Sequence, residues 1–302
     1  MASLKELRTR IGSIKSTQKI TSAMKMVAAA RLRRAQDVLS RSQTYNENLL
    51  TAAGRLLLDM KQEQANGGVD YFFPKMILPV SNAQVYWLVI FSSDRGLCGS
   101  YNAYVLREAV RRIRELQKNG KTIKVIAIGK KAGDSLRRRF ENLDIEIMSG
   151  VAAKGADYQE LQAIAERLIT DYPAGKFDVC EVIYTHFNSA VNRVVKTEQF
   201  IPFEIDTSDP RFDLKSGGAF YDYDAPKDKI LVDILLMLMT SVLFQNLLNS
   251  QASEHGARMT SMDNATRNAK EMISKLTLKY NRLRQNAITT ELIEIISGAE
   301  AL

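Results

Sequence analysis

Leu4-Lys-Glu-Leu7-Arg-Thr-Arg-Ile11-Gly-Ser-Ile14 opens a chain of 302 residues, and Ala28-Ala-Ala-Arg-Leu32-Arg-Arg-Ala35-Gln-Asp-Val-Leu39 continues it. The apolar positions, Leu4, Leu7, Ile11, Ile14, Ala28, Leu32, Ala35 and Leu39, recur at alternating steps of three and four, which is a heptad seam. Between the two stretches the register persists through Gln18, Thr21 and Lys25, where the seam turns polar. Residues 2–58 contain no proline and only two glycines, Gly12 and Gly54, so the spacing predicts one long helix. At 1.5 Å per residue it would reach about 85 Å, against about 30 Å for a small domain.

The other end of the chain answers this helix. Residues 225–301 are free of proline after Pro226, with Gly256 and Gly298 the only glycines, and would make a helix of about 110 Å. Met259, Met262, Ala269, Ile273, Leu276, Tyr280, Leu283 and Ala287 repeat a similar stepping. Two seams at opposite ends of one chain predict an antiparallel intrachain coiled coil. Burial of both helices in a large bundle is the alternative, and the polar faces opposite the seams count against it.

The texture changes in between. Val85-Tyr-Trp-Leu-Val-Ile-Phe91 is a continuous apolar run of the kind buried on both faces of a parallel sheet. Further strands are predicted at 122–128, 145–148, 177–187 and 193–201, the last as an antiparallel edge. Helices are predicted at 103–118, 130–140 and 157–172. Strands alternating with helices give a Rossmann-like, mostly parallel five-stranded sheet. The fold class is therefore α/β, with long N- and C-terminal coiled-coil helices. The divisions expected are 1–65 for the first helix, 66–205 for the sheet domain, 206–224 for a connecting loop and 225–302 for the second helix.

Charge is unevenly placed. The whole chain carries +8. Residues 1–41 hold ten Lys or Arg and two acids, so this stretch alone accounts for a charge of that size. A basic helix suits an acidic partner, with a solvated face as the bland alternative. No aromatic residue occurs in the first 40, which leaves single-stranded nucleic acid without stacking platforms. Cys98 and Cys180, read as strand or strand-end residues, give no disulfide framework. No apolar signal segment opens the chain, and the apolar run at 234–244 is shorter than the roughly 20 residues of a bilayer span.

The turn Ser92-Ser-Asp-Arg-Gly-Leu-Cys-Gly-Ser-Tyr-Asn102 follows the first strand, at the place where such sheets bind nucleotides. Gly96 and Gly99 favour close backbone approach, but neither G-x-G-x-x-G nor G-x-x-x-x-G-K-[ST] is present. A tight structural turn in which Asp94 and Arg95 pair or cap is the plainer reading. His186 and His255 lack partners at metal-ligand spacing, and no nucleophile elbow accompanies them. No catalytic residue, cofactor or metal is expected. A Rossmann-like nucleotide-binding enzyme or switch with helical arms stays open as the alternative.

Three motifs then point to a family. Arg10-Ile-Gly-Ser-Ile-Lys-Ser-Thr-Gln-Lys-Ile-Thr-Ser-Ala-Met-Lys-Met-Val-Ala-Ala-Ala-Arg31 resembles the N-terminal helix of the gamma subunit of F-type ATP synthases. Ser93-Asp-Arg-Gly-Leu-Cys-Gly99 is similar to that family's first sheet turn, and Ile288-Thr-Thr-Glu-Leu-Ile-Glu-Ile-Ile-Ser-Gly-Ala299 to its C-terminal signature. The resemblance covers essentially the whole chain. It implies a non-catalytic rotor shaft that couples proton-driven c-ring rotation to conformational cycling of the beta subunits during ATP synthesis or hydrolysis. It implies alpha and beta subunits, epsilon and the c-ring as partners, and no nucleic acid. It places Met24 and Lys25 near an acidic loop of beta, and Arg284, Gln285, Thr289 and Glu294 against another beta loop, with residues 295–302 as an apolar tip. Residues 206–224 lack the cysteine pair of chloroplast relatives. The chain begins at the shaft with Met1, so the expectation is a bacterial protein, peripheral on the cytoplasmic face of the inner membrane.

Overall fold

In a computed structural model, residues 3–67, 70–71, 73–151, 158–206, 210–212 and 223–300 are described, the side chains of 210, 294, 298 and 300 excepted. Most of the expected connecting loop, 206–224, lies outside the described residues. The chain divides into two compact units, one made of 1–30 with 258–302, the other of 31–257. Two helices, α1 (Leu4–Ala65) and α5 (Lys227–Glu300), contribute to both.

The larger unit is built on a sheet. β1 (Val85–Phe91), β2 (Thr122–Ile128), β3 (Asp144–Met148), β4 (Val179–Phe187) and β5 (Arg193–Ile201) lie in the order β3-β2-β1-β4-β5. The first four are parallel and β5 is antiparallel to β4. The helices between them are α2 (Tyr101–Lys118), α3 (Lys130–Arg139) and α4 (Tyr158–Asp171). Alternation along β1 decides which layer each side chain joins. Leu88 and Ile90 face α2 and α3 in a core with Val105, Ala109, Ile113 and Leu136. Trp87, Val89 and Phe91 face the opposite layer, where α4 supplies Leu161, Ile164 and Leu168.

α5 completes that second layer. Leu231, Leu235, Met239, Leu243 and Leu247 are at most 1% exposed and belong to the same core, as do Leu56, Leu57 and Met60 of α1. Within α5 an 18-residue stretch reaches a mean hydropathy of 1.9, which by length and composition is enough to cross a membrane. This corrects the expectation drawn from the shorter run at 234–244, which stopped at its polar flanks. Half of the stretch is buried inside the fold.

Element ends shift by a few residues from expectation. α1 ends at Ala65, within the expected 1–65, and α2 starts at Tyr101 rather than 103. Cys180 lies in β4, but Cys98 lies in the bend before α2 and not in a strand. β1 ends at Phe91, and the glycines Gly96 and Gly99 turn the chain around Cys98 before the helix starts.

In the smaller unit the heptad steps hold. Leu7, Thr21 and Ala28 are buried and Leu4, Ile11, Ile14, Gln18 and Lys25 half-buried, while most positions between them are exposed. On α5, Met262 and Ala269 are buried and Met259, Ile273, Leu276, Tyr280 and Leu283 half-buried; Ala287 is exposed and drops out of the seam.

Candidate functional site: a helix pair with an uncovered tail

The polar interval in the α1 seam has matching polar residues on α5. Thr21 and Thr266 meet through their hydroxyls at 2.8 Å. Lys25 Nζ donates to Asp263 Oδ1 at 2.7 Å, and Arg267 Nε stands 3.6 Å from the other carboxylate oxygen. Hydrogen bonding from Lys25 holds the Asp263 carboxyl below its ordinary range. As numbers rise along α1 they fall along α5, so the pair is antiparallel. Continued in that register, Leu4 stands level with Leu283.

Beyond Leu283, α5 has no counterpart on α1. Every side chain described from 284 to 299 is exposed. Ile288, Leu292, Ile293, Ile295 and Ile296 are each between 49% and 65% exposed. Large apolar side chains gathered in one uncovered segment mark a surface that a partner covers. On α1, Ile20, Met26 and Val27 are likewise exposed.

The six residues singled out from the resemblance are distributed as follows. Met24 and Lys25 lie half-buried on α1. Arg284, Gln285 and Thr289 share the exposed tail of α5, where Thr289 Oγ1 donates to the Gln285 carbonyl at 2.9 Å. The Glu294 side chain is outside the described residues. Sequence reasoning missed Asp263 as the partner of Lys25. The signal was there: Asp263 follows the seam residue Met262, where an antiparallel register brings it beside a polar interval.

The sheet offers a different candidate, the crevice at the carboxyl ends of β1 and β4, where the strand order reverses. It is filled from within. β4 pairs with β1 only as far as Ile183 opposite Ile90. Past that point α5 supplies partners: Ser250 Oγ accepts from Thr185 N at 3.3 Å, Ser253 Oγ donates to Thr185 O at 3.2 Å, and Asn249 Oδ1 accepts from Phe187 N at 3.3 Å. The turn after β1 is also engaged. Asp94 accepts from Lys130 N at 2.9 Å and Gly150 N at 3.1 Å, so it caps α3. Ser93, Cys98 and Asn102 bond one another. Among the described residues, no group of three or more His, Cys, Asp or Glu is placed to hold a metal.

Comparison with known proteins decides the family. The ATP synthase family model matches residues 3–302. The ATP synthase gamma chains of Rhodospirillum rubrum and of Chelativorans sp. (strain BNC1) are each 43% identical, with all of both chains covered. The chain belongs to the ATP synthase gamma chain family. Among solved structures, the central stalk and c-ring of the Tetrahymena thermophila mitochondrial ATP synthase gives a TM-score of 0.57 at 25% identity, covering 82% of this chain and 99% of that chain. A chain of the Euglena gracilis mitochondrial ATP synthase gives 0.64 at 16% identity, covering 99% and 94%, a likeness of fold. Gamma chain membership makes the protein a subunit of a membrane-associated complex and not its catalytic subunit. The helix pair and its apolar tail are then the part of the fold to read for function.

Proposed function

We propose that the chain is the central rotor shaft of an F-type ATP synthase, coupling c-ring rotation driven by protons to the conformational cycle of the beta subunits. The observation that carries this reading is the tail of α5, an uncovered helix studded with large apolar side chains, in a chain 43% identical to bacterial gamma chains over its full length. In this reading residues 1–65 and 225–302 supply the shaft, 66–205 the foot against epsilon and the c-ring, and 206–224 the connection between them. The shaft stands inside a ring of alternating alpha and beta subunits. The complex sits on the cytoplasmic face of a bacterial inner membrane. The chain itself makes and breaks no bonds.

Torque needs no chemistry in the shaft. A ligand shifts a conformational equilibrium only by its difference in affinity for the two states. An asymmetric shaft that touches each beta subunit differently at each angle supplies such a difference in turn. Met24, Lys25, Arg284, Gln285, Thr289 and Glu294 are the contacts proposed for beta. Lys25 enters that role already paired with Asp263. An acidic loop approaching it therefore meets a shared cation rather than a free one, and the interaction weakens as salt screens it.

Assembly with alpha and beta subunits tests the proposal. With a probe fixed to the sheet domain, ATP should drive stepwise rotation in one direction. ATP hydrolysis by an assembled complex in which this chain never turns would overturn it, as would failure to assemble with either subunit.

A further inference from the structure

A groove along α2 carries more positive charge than the fold consumes. Its volume is about 570 Å³, within the range of roughly 300–1,000 Å³ usual for small-molecule sites. Leu106 and the buried Val110 give it an apolar floor, and Arg107, Arg114 and Arg139 line it as exposed cations. Arg111 lines it too, but is already held by Glu108 at 2.6 Å and Glu115 at 3.3 Å. Arg112 next to it is held by Glu181 and Glu115. Both carboxylates of α2 are thus committed. Among the described residues Arg107, Arg114 and Arg139 have no carboxylate partner; Arg107 rests against the Tyr104 ring, 5.3 Å from its centre.

Like charges gathered on one groove repel, and nothing in the fold is gained by the gathering. A guanidinium presents a planar fork that matches phosphate oxygens two at a time. Arg107 and Arg114 are two helical turns apart, about 10.5 Å along the axis. One phosphate group cannot serve both, so the complementary anion spreads its charge along the groove. We propose that this groove binds an anion bearing two or more phosphate groups, with any apolar body lying over Leu106 and Val110. A peptide would be a poorer occupant, because an apolar floor leaves its backbone groups without partners. A soluble phosphoanhydride and the headgroups of an anionic lipid share the required chemistry.

The purified full-length chain, titrated by calorimetry with inorganic tripolyphosphate and by co-sedimentation with vesicles of phosphatidylcholine and cardiolipin, a lipid with two phosphate groups, separates these sources. Two variants with equal loss of charge are compared. One is Arg107→Ala/Arg114→Ala/Arg139→Ala in the groove; the other is Arg31→Ala/Arg33→Ala/Arg34→Ala on α1. Alanine is the strongest helix former, so both should retain parental helicity. The groove variant should lose at least about tenfold in affinity for one of the two probes, a difference of about 1.4 kcal/mol, and the α1 variant much less. Loss for tripolyphosphate assigns a soluble ligand, and loss for vesicles a lipid. Equal weakening by both variants would reduce the binding to general charge attraction and overturn the proposal. So would the absence of saturable binding to either probe.

Discussion

Lys25 and Asp263 meet at 2.7 Å where heptad spacing calls for an apolar side chain. Their pairing makes a prediction with a definite sign. The folded-state pKa of Asp263 lies below its ordinary 3.8. A depressed carboxylate contributes stability above its unfolded pKa and loses it as pH falls through the folded one. The helix pair should therefore loosen only below about pH 4. Asp263→Asn should remove that acid dependence from amide exchange in residues 18–28 and 259–270; an unchanged acid profile would assign it to other groups. The two cysteines make a second prediction. Cys98 and Cys180 are 2% and 0% exposed, and burial pushes the Cys180 thiol up, away from the reactive thiolate. Both should react with a thiol reagent at the rate of global unfolding, and labelling faster than that would contradict the packing. The type of each residue was legible in the sequence. Their partners were not, because pairing Lys25 with Asp263 requires knowing how two segments more than 200 residues apart are registered.

At the scale of elements, strands read most cleanly. β1, β2 and β5 begin and end where the sequence put them; for β1 and β2 the reason is that runs buried on both faces have few alternative readings. α5 was legible as a helix, but not in what it does for the sheet. Asn249, Ser250 and Ser253 look like a polar surface patch in sequence, yet all three are buried and serve the free end of β4. Removing such a partner leaves a buried backbone group unsatisfied, which costs about 1–3 kcal/mol. Ser253→Ala strands the Thr185 carbonyl and should lower the stability of the sheet domain by that amount in a denaturant titration. The half-buried Ser135, whose hydroxyl bonds only to the Lys131 carbonyl of its own helix, should cost far less when changed to alanine. Gly54 makes the analogous case on α1. A side chain there would meet the Phe212 ring at 2.7 Å, and Phe212 is itself 2% exposed. Gly54→Val should cost about 1–3 kcal/mol by overpacking, and should free Phe212 from α1, seen as faster exchange at the Arg211 and Phe212 amides.

At the scale of the molecule, stability and function separate along the chain. The larger unit, 31–257, holds both apolar cores, whereas among the described residues the last turns of α5 contribute to neither. Deleting residues 284–302 removes no buried side chain among those described, so the melting temperature of the purified chain should move by no more than a degree or two. Surface changes away from buried features usually stay within about 0.5 kcal/mol. The same deletion strips Ile288, Leu292, Ile293, Ile295 and Ile296 from the surface that a partner should cover. If that surface seats the shaft among alpha and beta subunits, the truncated chain should assemble poorly, and rotation driven by ATP should slow or stall in the complexes that do form. A drop in melting temperature of the isolated chain would instead assign the tail to the fold. Undiminished rotation would leave its apolar side chains without a partner and return the weight of function to the polar layer around Lys25. The deletion therefore sorts two causes that sequence merges, since an apolar helix end reads alike whether it packs inside its own chain or inside another.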